Sequence, residues 1–290
     1  MINVYFVPSK KITREYRLIE QGLRNNVRIN MVDNEKDSDF VFLFYTSLNR
    51  HPEYATKFDP KKTIFIDYHD KSDVVFDVKC KAYFKRSWVE GGAGIKRSKK
   101  WPLHYYPISF AVMDEFLIDD EPERSFTLTC TIRPHVRHIN RPIVLNFIKR
   151  MKIDGVTQRG EFNTGSMNRF NDNEMKEYFR LMKRSRLVVT CNPSRWEGDH
   201  RTWEAFASGA LVFVDRMFVP MIHPLIHYVH CIIYDVTDYG LKELGKQIHY
   251  FVENRGHANA IAKNGFEYAM KYHRSSNRID DIFTMIERGY

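Results

Sequence analysis

Short apolar runs recur along this chain, each too brief to span a membrane and most followed by a helix or a long connection. Residues 2–7 form the first, ended by Pro8. Others lie at 27–31, 39–45 and 63–66, with shorter ones at 82–84 and 104–106. Between the first two, Ile12, Tyr16, Ile19 and Leu23 fall at helical spacing. An apolar strand followed by a helix-length connection is the pattern of a parallel sheet, because a parallel neighbour can be reached only by a crossover. The pattern breaks near 113–120, where Ile118-Asp119-Asp120-Glu121-Pro122-Glu123 is charged and contains proline. A second series then starts at 126–132. It continues through a helix at 141–151, a strand near 156–158, a helix at 172–182, and strands at 187–189 and 211–214 around a short helix at 200–207. A strand near 231–234 and helical stretches at 241–254 and 258–287 complete it. Two α/β domains follow, 1–118 and 124–272, with an amphipathic tail at 273–290.

With 43% hydrophobic residues the chain has the material for two real cores, which excludes a disordered protein. A net charge of +9 points to anionic partners: nucleic acid, a membrane surface or a phosphorylated small molecule. The charge is spread out, with clusters at 96–100 and 149–152, and makes no nucleic-acid-binding stripe. Cys80, Cys130, Cys191 and Cys231 are far apart and form no CxxC, as expected of reduced thiols in a cytoplasmic protein. The opening apolar run is too short for a signal peptide, so the expectation is a soluble chain with no targeting segment and no membrane insertion.

Polar chemistry gathers at 187–216, which reads as strand, loop, short helix, glycine stop and strand. Asn192-Pro193 ends the first strand, Asp199 is placed as a helix N-cap, and Gly209 stands where a helix stops. In an open parallel sheet ligands bind where strands hand over to helices, and a helix N-terminus there favours an anion. Arg201 and Glu204 are three apart and share a helix face, so a cation able to neutralise a diphosphate sits near a carboxylate able to accept two ribose hydroxyls. The plainer alternative is a surface ion pair.

The residues Pro193-Ser194-Arg195-Trp196-Glu197-Gly198, followed by Glu204-Ala205-Phe206-Ala207-Ser208-Gly209, resemble the donor-binding unit of GT-B glycosyltransferases. Six residues separate Glu197 from Glu204, where the retaining pattern has seven. An arginine three before the acid is more similar to the exostosin-like, mostly inverting branch. Length, basic composition and motif together are similar to small chlorovirus xylosyltransferases of that branch. That likeness alone implies xylose as the donated sugar, and the host cytoplasm as its location. The family resemblance implies two Rossmann-like domains facing each other across a cleft, with the C-terminal helix packing back on the first. It also implies a UDP-sugar donor with no cofactor, and a glycan or oligosaccharide acceptor. By motif position Glu204 would hold the ribose, while Arg201 and the amides near His200 and Thr202 would hold phosphate.

Arg133, after the first strand of the second domain, and Arg159, after the next, would reach the same sheet edge as diphosphate ligands; their plainer reading is a solvated loop. Inverting transfer needs one base for the acceptor hydroxyl, which in this arrangement comes from a first-domain loop. In Asp67-Tyr68-His69-Asp70-Lys71-Ser72-Asp73, Asp67 is nearest the strand and suited to bracing the turn. Asp73 and then Asp70 are the candidate bases, with His69 a further possibility. Asp67 and Asp70 have the wrong spacing for an Asp-x-Asp cation site, and the histidines form no HExxH, so no metal is expected. The rival functions are a retaining transferase with the same donor site, and a nucleic-acid-binding protein using the positive charge.

Overall fold

The computed structural model describes residues 1–49, 51–69, 76–87, 104–117, 122–132, 138–157, 172–193 and 198–288. The chain divides into two compact units. The first comprises 1–111, 218–222 and 274–290, and the second 112–217 and 223–273.

In the first unit a six-stranded sheet runs in the order β2-β1-β3-β4-β5-β6, every neighbouring pair parallel. Its strands are β1 (Ile2–Phe6), β2 (Ile29–Met31), β3 (Phe40–Phe44), β4 (Thr63–Asp67), β5 (Ala82–Lys85) and β6 (Tyr105–Pro107). Every residue of β4 and β5 is buried, as continuous apolar runs covered on both faces should be. The helix α1 (Arg14–Asn25) starts at Thr13, whose side chain accepts the Tyr16 amide. Residue 45, expected within a strand, instead opens a one-turn helix, α2 (Tyr45–Leu48), and a second short turn follows as α3 (Tyr54–Lys57).

The second unit holds a five-stranded sheet in the order β11-β10-β9-β7-β8, again parallel throughout. Its strands are β7 (Phe126–Cys130), β8 (Gly155–Thr157), β9 (Ser185–Val189), β10 (Leu211–Asp215) and β11 (Ile232–Tyr234). Its helices are α4 (Asn140–Met151), α5 (Asp172–Lys183), α6 (His200–Ala207), α7 (Asp238–Glu253) and α8 (Arg255–Tyr272). Leu128, Leu187, Phe213, Leu244, Ile248 and Phe251 anchor its core. Burying a side chain such as Phe213 contributes roughly 2 kcal/mol. Strand β7 lies between β8, which follows it through α4, and β9, which follows β8 through α5. Strand order therefore reverses at β7 and β9, and their carboxyl ends open the crevice where such sheets bind ligands.

The stretch at 258–287, read as helical with a boundary between 272 and 273, is two helices: α8 ends at Tyr272 and α9 (Ser275–Arg288) begins three residues later. Although α9 follows the second unit in sequence, it belongs to the first and packs on α1. Gly22 of α1 makes that approach possible, because a Cβ there would lie 2.5 Å from the Ser275 carbonyl oxygen. The Asn26 amide adds hydrogen bonds to the Ser276 carbonyl and the Asp280 carboxylate. Among the described residues no helix is long and apolar enough to cross a membrane.

Candidate functional site

The helix α6 begins as its sequence requires. Asp199 has extended backbone and its carboxylate accepts the Thr202 amide at 3.1 Å and the Thr202 hydroxyl at 3.2 Å. At the other end Gly209 adopts left-handed backbone with φ +69, a conformation glycine takes without penalty. There the Arg124 guanidinium donates to the Ser208 and Gly209 carbonyls. All eight residues of the helix are buried. Arg201 and Glu204 are only 8% and 2% exposed, so they do not form a surface ion pair.

The Asp199 carboxylate is also the centre of a buried ionic cluster. Arg141, in the first turn of α4, donates from Nη2 to Asp199 Oδ2 at 2.6 Å and from Nε to the Cys191 carbonyl at 3.0 Å. Arg201 Nη1 lies 3.5 Å from the same Asp199 oxygen. Burial alone would raise the Asp199 pKa, but Arg141, Arg201 and the Thr202 amide outweigh it and hold the group below its ordinary value. Burial likewise works against charge on Arg201, and the oxygens of Tyr178, Asp199 and Glu204 reverse that. Two guanidiniums thus share one carboxylate at a helix N-terminus beside the reversal point of the sheet. This is a place suited to a doubly charged anion.

Glu204 sits one turn further along α6. Tyr178, fully buried on α5, has its pKa raised by burial and then by the negative charge of Glu204. On the floor of the site Asp215, at the end of β10, accepts the Asn192 amide at 2.7 Å and the Cys191 thiol at 3.7 Å. Burial raises its pKa to about 7, against the Asn192 hydrogen bond. The Asn192 side-chain oxygen is buried without a hydrogen-bond partner among the described residues. Burial pushes Cys130 and Cys231 up to about 12, so neither is a thiolate near neutral pH.

Of the residues expected from sequence, the structure gathers His200, Arg201, Thr202 and Glu204 on α6. The Thr202 amide is bonded to Asp199 at 3.1 Å, as a first-turn amide held by its cap. Arg133, Arg159, Asp70 and Asp73 lie outside the described residues. Asp67 does brace its turn: its carboxylate accepts the His69 amide at 2.8 Å and pairs with Lys85 at 2.9 Å. Sequence reasoning missed Arg141, Tyr178 and Asp215. An arginine in the first turn of the helix after β7 was the one available signal for Arg141; its partner is 58 residues away.

Residues 133–284, more than half of the chain, match the family model described as "Glycosyl transferase-like". The chain belongs to that family. No curated protein sequence matches this glycosyl transferase-like chain. Among solved structures, an alpha-glucosyltransferase in complex with UDP-glucose and DNA containing an abasic site gives a TM-score of 0.61 at 9% identity, with 99% of each chain covered. Anabaena HepE in complex with UDP-glucose gives 0.61 at 11% identity, over 99% of this chain and 100% of its own. TarM gives 0.52 at 9% identity, over 85% of this chain and 54% of its own. These likenesses are of fold, and the fold is the GT-B type expected from the sequence. Among the described residues no three His, Cys, Asp or Glu side chains are grouped as metal ligands.

Proposed function

We propose that this glycosyl transferase-like chain moves a sugar from a UDP-sugar to a hydroxyl of a glycan acceptor, with inversion and without a metal. The observation that carries the reading is the buried Arg141–Asp199–Arg201 cluster at the N-terminus of α6, with Glu204 one turn behind it. In this reading the diphosphate takes the His200 and Arg201 amides and the Arg201 guanidinium, and Glu204 accepts the ribose hydroxyls. Departure of UDP builds negative charge on the diphosphate. Fixed cations and amides in a dry site stabilise that charge without having to reorganise. The structural neighbours solved with UDP-glucose support a uridine donor.

Arg133 and Arg159 are proposed as further diphosphate ligands, and Asp73 or Asp70 as the base that takes the acceptor proton; these assignments rest on sequence position. Inversion rests on the Glu197–Glu204 spacing, one residue short of the retaining pattern, and on the exostosin-like placement of Arg201 three before Glu204. Xylose rests on the likeness to chlorovirus xylosyltransferases. A second reading is favoured by one neighbour, an alpha-glucosyltransferase bound to DNA: a retaining enzyme with a nucleic-acid acceptor.

The test is a panel of nucleotide sugars in a donor-hydrolysis and transfer assay, with glycan and DNA acceptors run side by side and the product anomer read by NMR. Turnover of a UDP-sugar is expected, and Glu204→Gln should raise the donor KM by about tenfold or more, the loss expected when a ribose hydroxyl meets a neutral partner. No binding and no turnover across the panel would remove the proposal.

A further inference from the structure

At the carboxyl edge of the second unit's sheet two asparagines carry buried hydrogen-bonding atoms that the described residues do not use. Asn192 lies just past β9 and is wholly buried. Its backbone amide donates to Asp215 Oδ1 at 2.7 Å, and its side-chain nitrogen donates to the Asp215 carbonyl at 3.3 Å. The second bond fixes which way the side chain faces, because turning it over would set two oxygens against each other. Its Oδ1, an acceptor only, has no hydrogen-bond partner among the described residues. Asn140 opens α4 and is 8% exposed, and its Nδ2, a donor only, is likewise buried without a partner among them.

The two side chains flank one hydrogen bond. Asn140 precedes Arg141, Asn192 follows Cys191, and Arg141 Nε donates to the Cys191 carbonyl at 3.0 Å. Each unpaired buried group of this kind costs about 1–3 kcal/mol, and folded chains carry few of them. Donors alone would suit an anion, and an acceptor alone would suit an N–H. A donor and an acceptor on either side of one hydrogen bond suit hydroxyls, which both accept and donate. A diphosphate oxygen has no proton to give Asn192 Oδ1.

A sugar supplies such hydroxyls. In the transferase reading the ribose is on Glu204 and the diphosphate at the start of α6, so the sugar, joined to the far phosphate, lies beyond Asp199. Arg141 is bonded to Asp199, and it brings Asn140 and Asn192 to that end of the helix. We infer that Asn140 and Asn192 are specificity-determining residues that bind hydroxyls of the transferred sugar. The inference rests on the transferase reading and extends it from the nucleotide to the sugar.

The test takes the UDP-sugar that the wild-type chain turns over fastest, together with its monodeoxy analogues, each lacking one ring hydroxyl. In wild type kcat/KM should fall by about twentyfold or more for at least one analogue, the worth of two hydrogen bonds. Asn192→Leu and Asn140→Leu keep the bulk of the side chain and remove its unpaired atom. Each should shrink that discrimination by about fivefold, one hydrogen bond's worth, while affinity for UDP alone stays at the wild-type value. A crystal structure of wild type with the same UDP-sugar, which does not depend on the variants folding, should show sugar hydroxyls within about 3.2 Å of Asn192 Oδ1 and Asn140 Nδ2. The inference is overturned by a wild type indifferent to every ring hydroxyl, or by unchanged discrimination in either variant. Loss of UDP affinity in step with the sugar effect, or a water on either atom beside an ordered sugar, overturns it as well. Failure of the wild-type chain to bind or turn over any UDP-sugar is a different result and removes the underlying transferase reading instead.

Discussion

Replacing Asp199 by asparagine isolates what its charge does. Asparagine caps helices as well as aspartate and keeps an oxygen for the Thr202 amide, so the cap survives. The negative charge that Arg141, at 2.6 Å, and Arg201, at 3.5 Å, share is lost. Leaving one side of a buried ion pair uncompensated costs about 3–5 kcal/mol. Asp199→Ala should cost about 1 kcal/mol more, because the cap goes as well. Against a total stability of about 5–15 kcal/mol, either loss is large. For a unit of this size the melting temperature should fall by roughly 10 °C in Asp199→Asn. The assay is differential scanning calorimetry with and without saturating UDP. A diphosphate returns negative charge to the two arginines, so the UDP-induced rise in melting temperature should be larger in Asp199→Asn than in wild type. The folded pKa of Asp199 lies below its ordinary 3.8, so its contribution is present above that value and lost as pH falls through the lowered folded pKa. The gap between wild type and Asp199→Asn should close accordingly under acid. An Asp199→Asn protein that melts like wild type, or gains no more from UDP, refutes the reasoning.

Asp215 has the opposite sign. Its folded pKa, about 7, is above the ordinary 3.8, so its ionisation opposes folding: the penalty is absent below 3.8, grows towards pH 7 and is full above it. At one pKa unit per 1.36 kcal/mol the full penalty is on the order of 4 kcal/mol. Asp215→Asn, which keeps an oxygen for the Asn192 amide, should match wild type in urea unfolding at pH 4 and exceed it at pH 8. Asp73→Ala or Asp70→Ala should abolish transfer and leave UDP affinity intact in calorimetric titration. If neither change slows transfer, the base lies elsewhere.

The parallel sheets were legible because most strands are short, largely apolar runs and most connections are long enough for a crossover, the short link from β2 to β3 excepted. The donor helix was legible for a local reason: Asp199, four residues of first turn and Gly209 are a start and a stop written within eleven positions. What joins that helix to the rest was not legible. Arg141 reaches Asp199 only because β7 and β9 are neighbours, and sheet order is not a property of either segment. The boundary between 272 and 273 was legible, but what ends α8 there was not. His273 is wholly buried, its ring stacked on Trp203 at 4.3 Å, and its carbonyl accepts the Val112 amide, so tertiary contacts end a helix that local propensity would continue. The bond from the Thr202 amide to its cap residue was legible from the Asp199 N-cap position alone.

The central claim is that the N-terminus of α6 holds a uridine diphosphate. The most direct measurement is a crystal structure of the chain grown with UDP. The account predicts the diphosphate on the His200 and Arg201 amides beside the Arg201 guanidinium, and the ribose hydroxyls on Glu204. It is contradicted if the nucleotide lies elsewhere, for example in the groove lined by Arg124, Lys183, Lys263 and Phe266, with Glu204 still buried beside Tyr178.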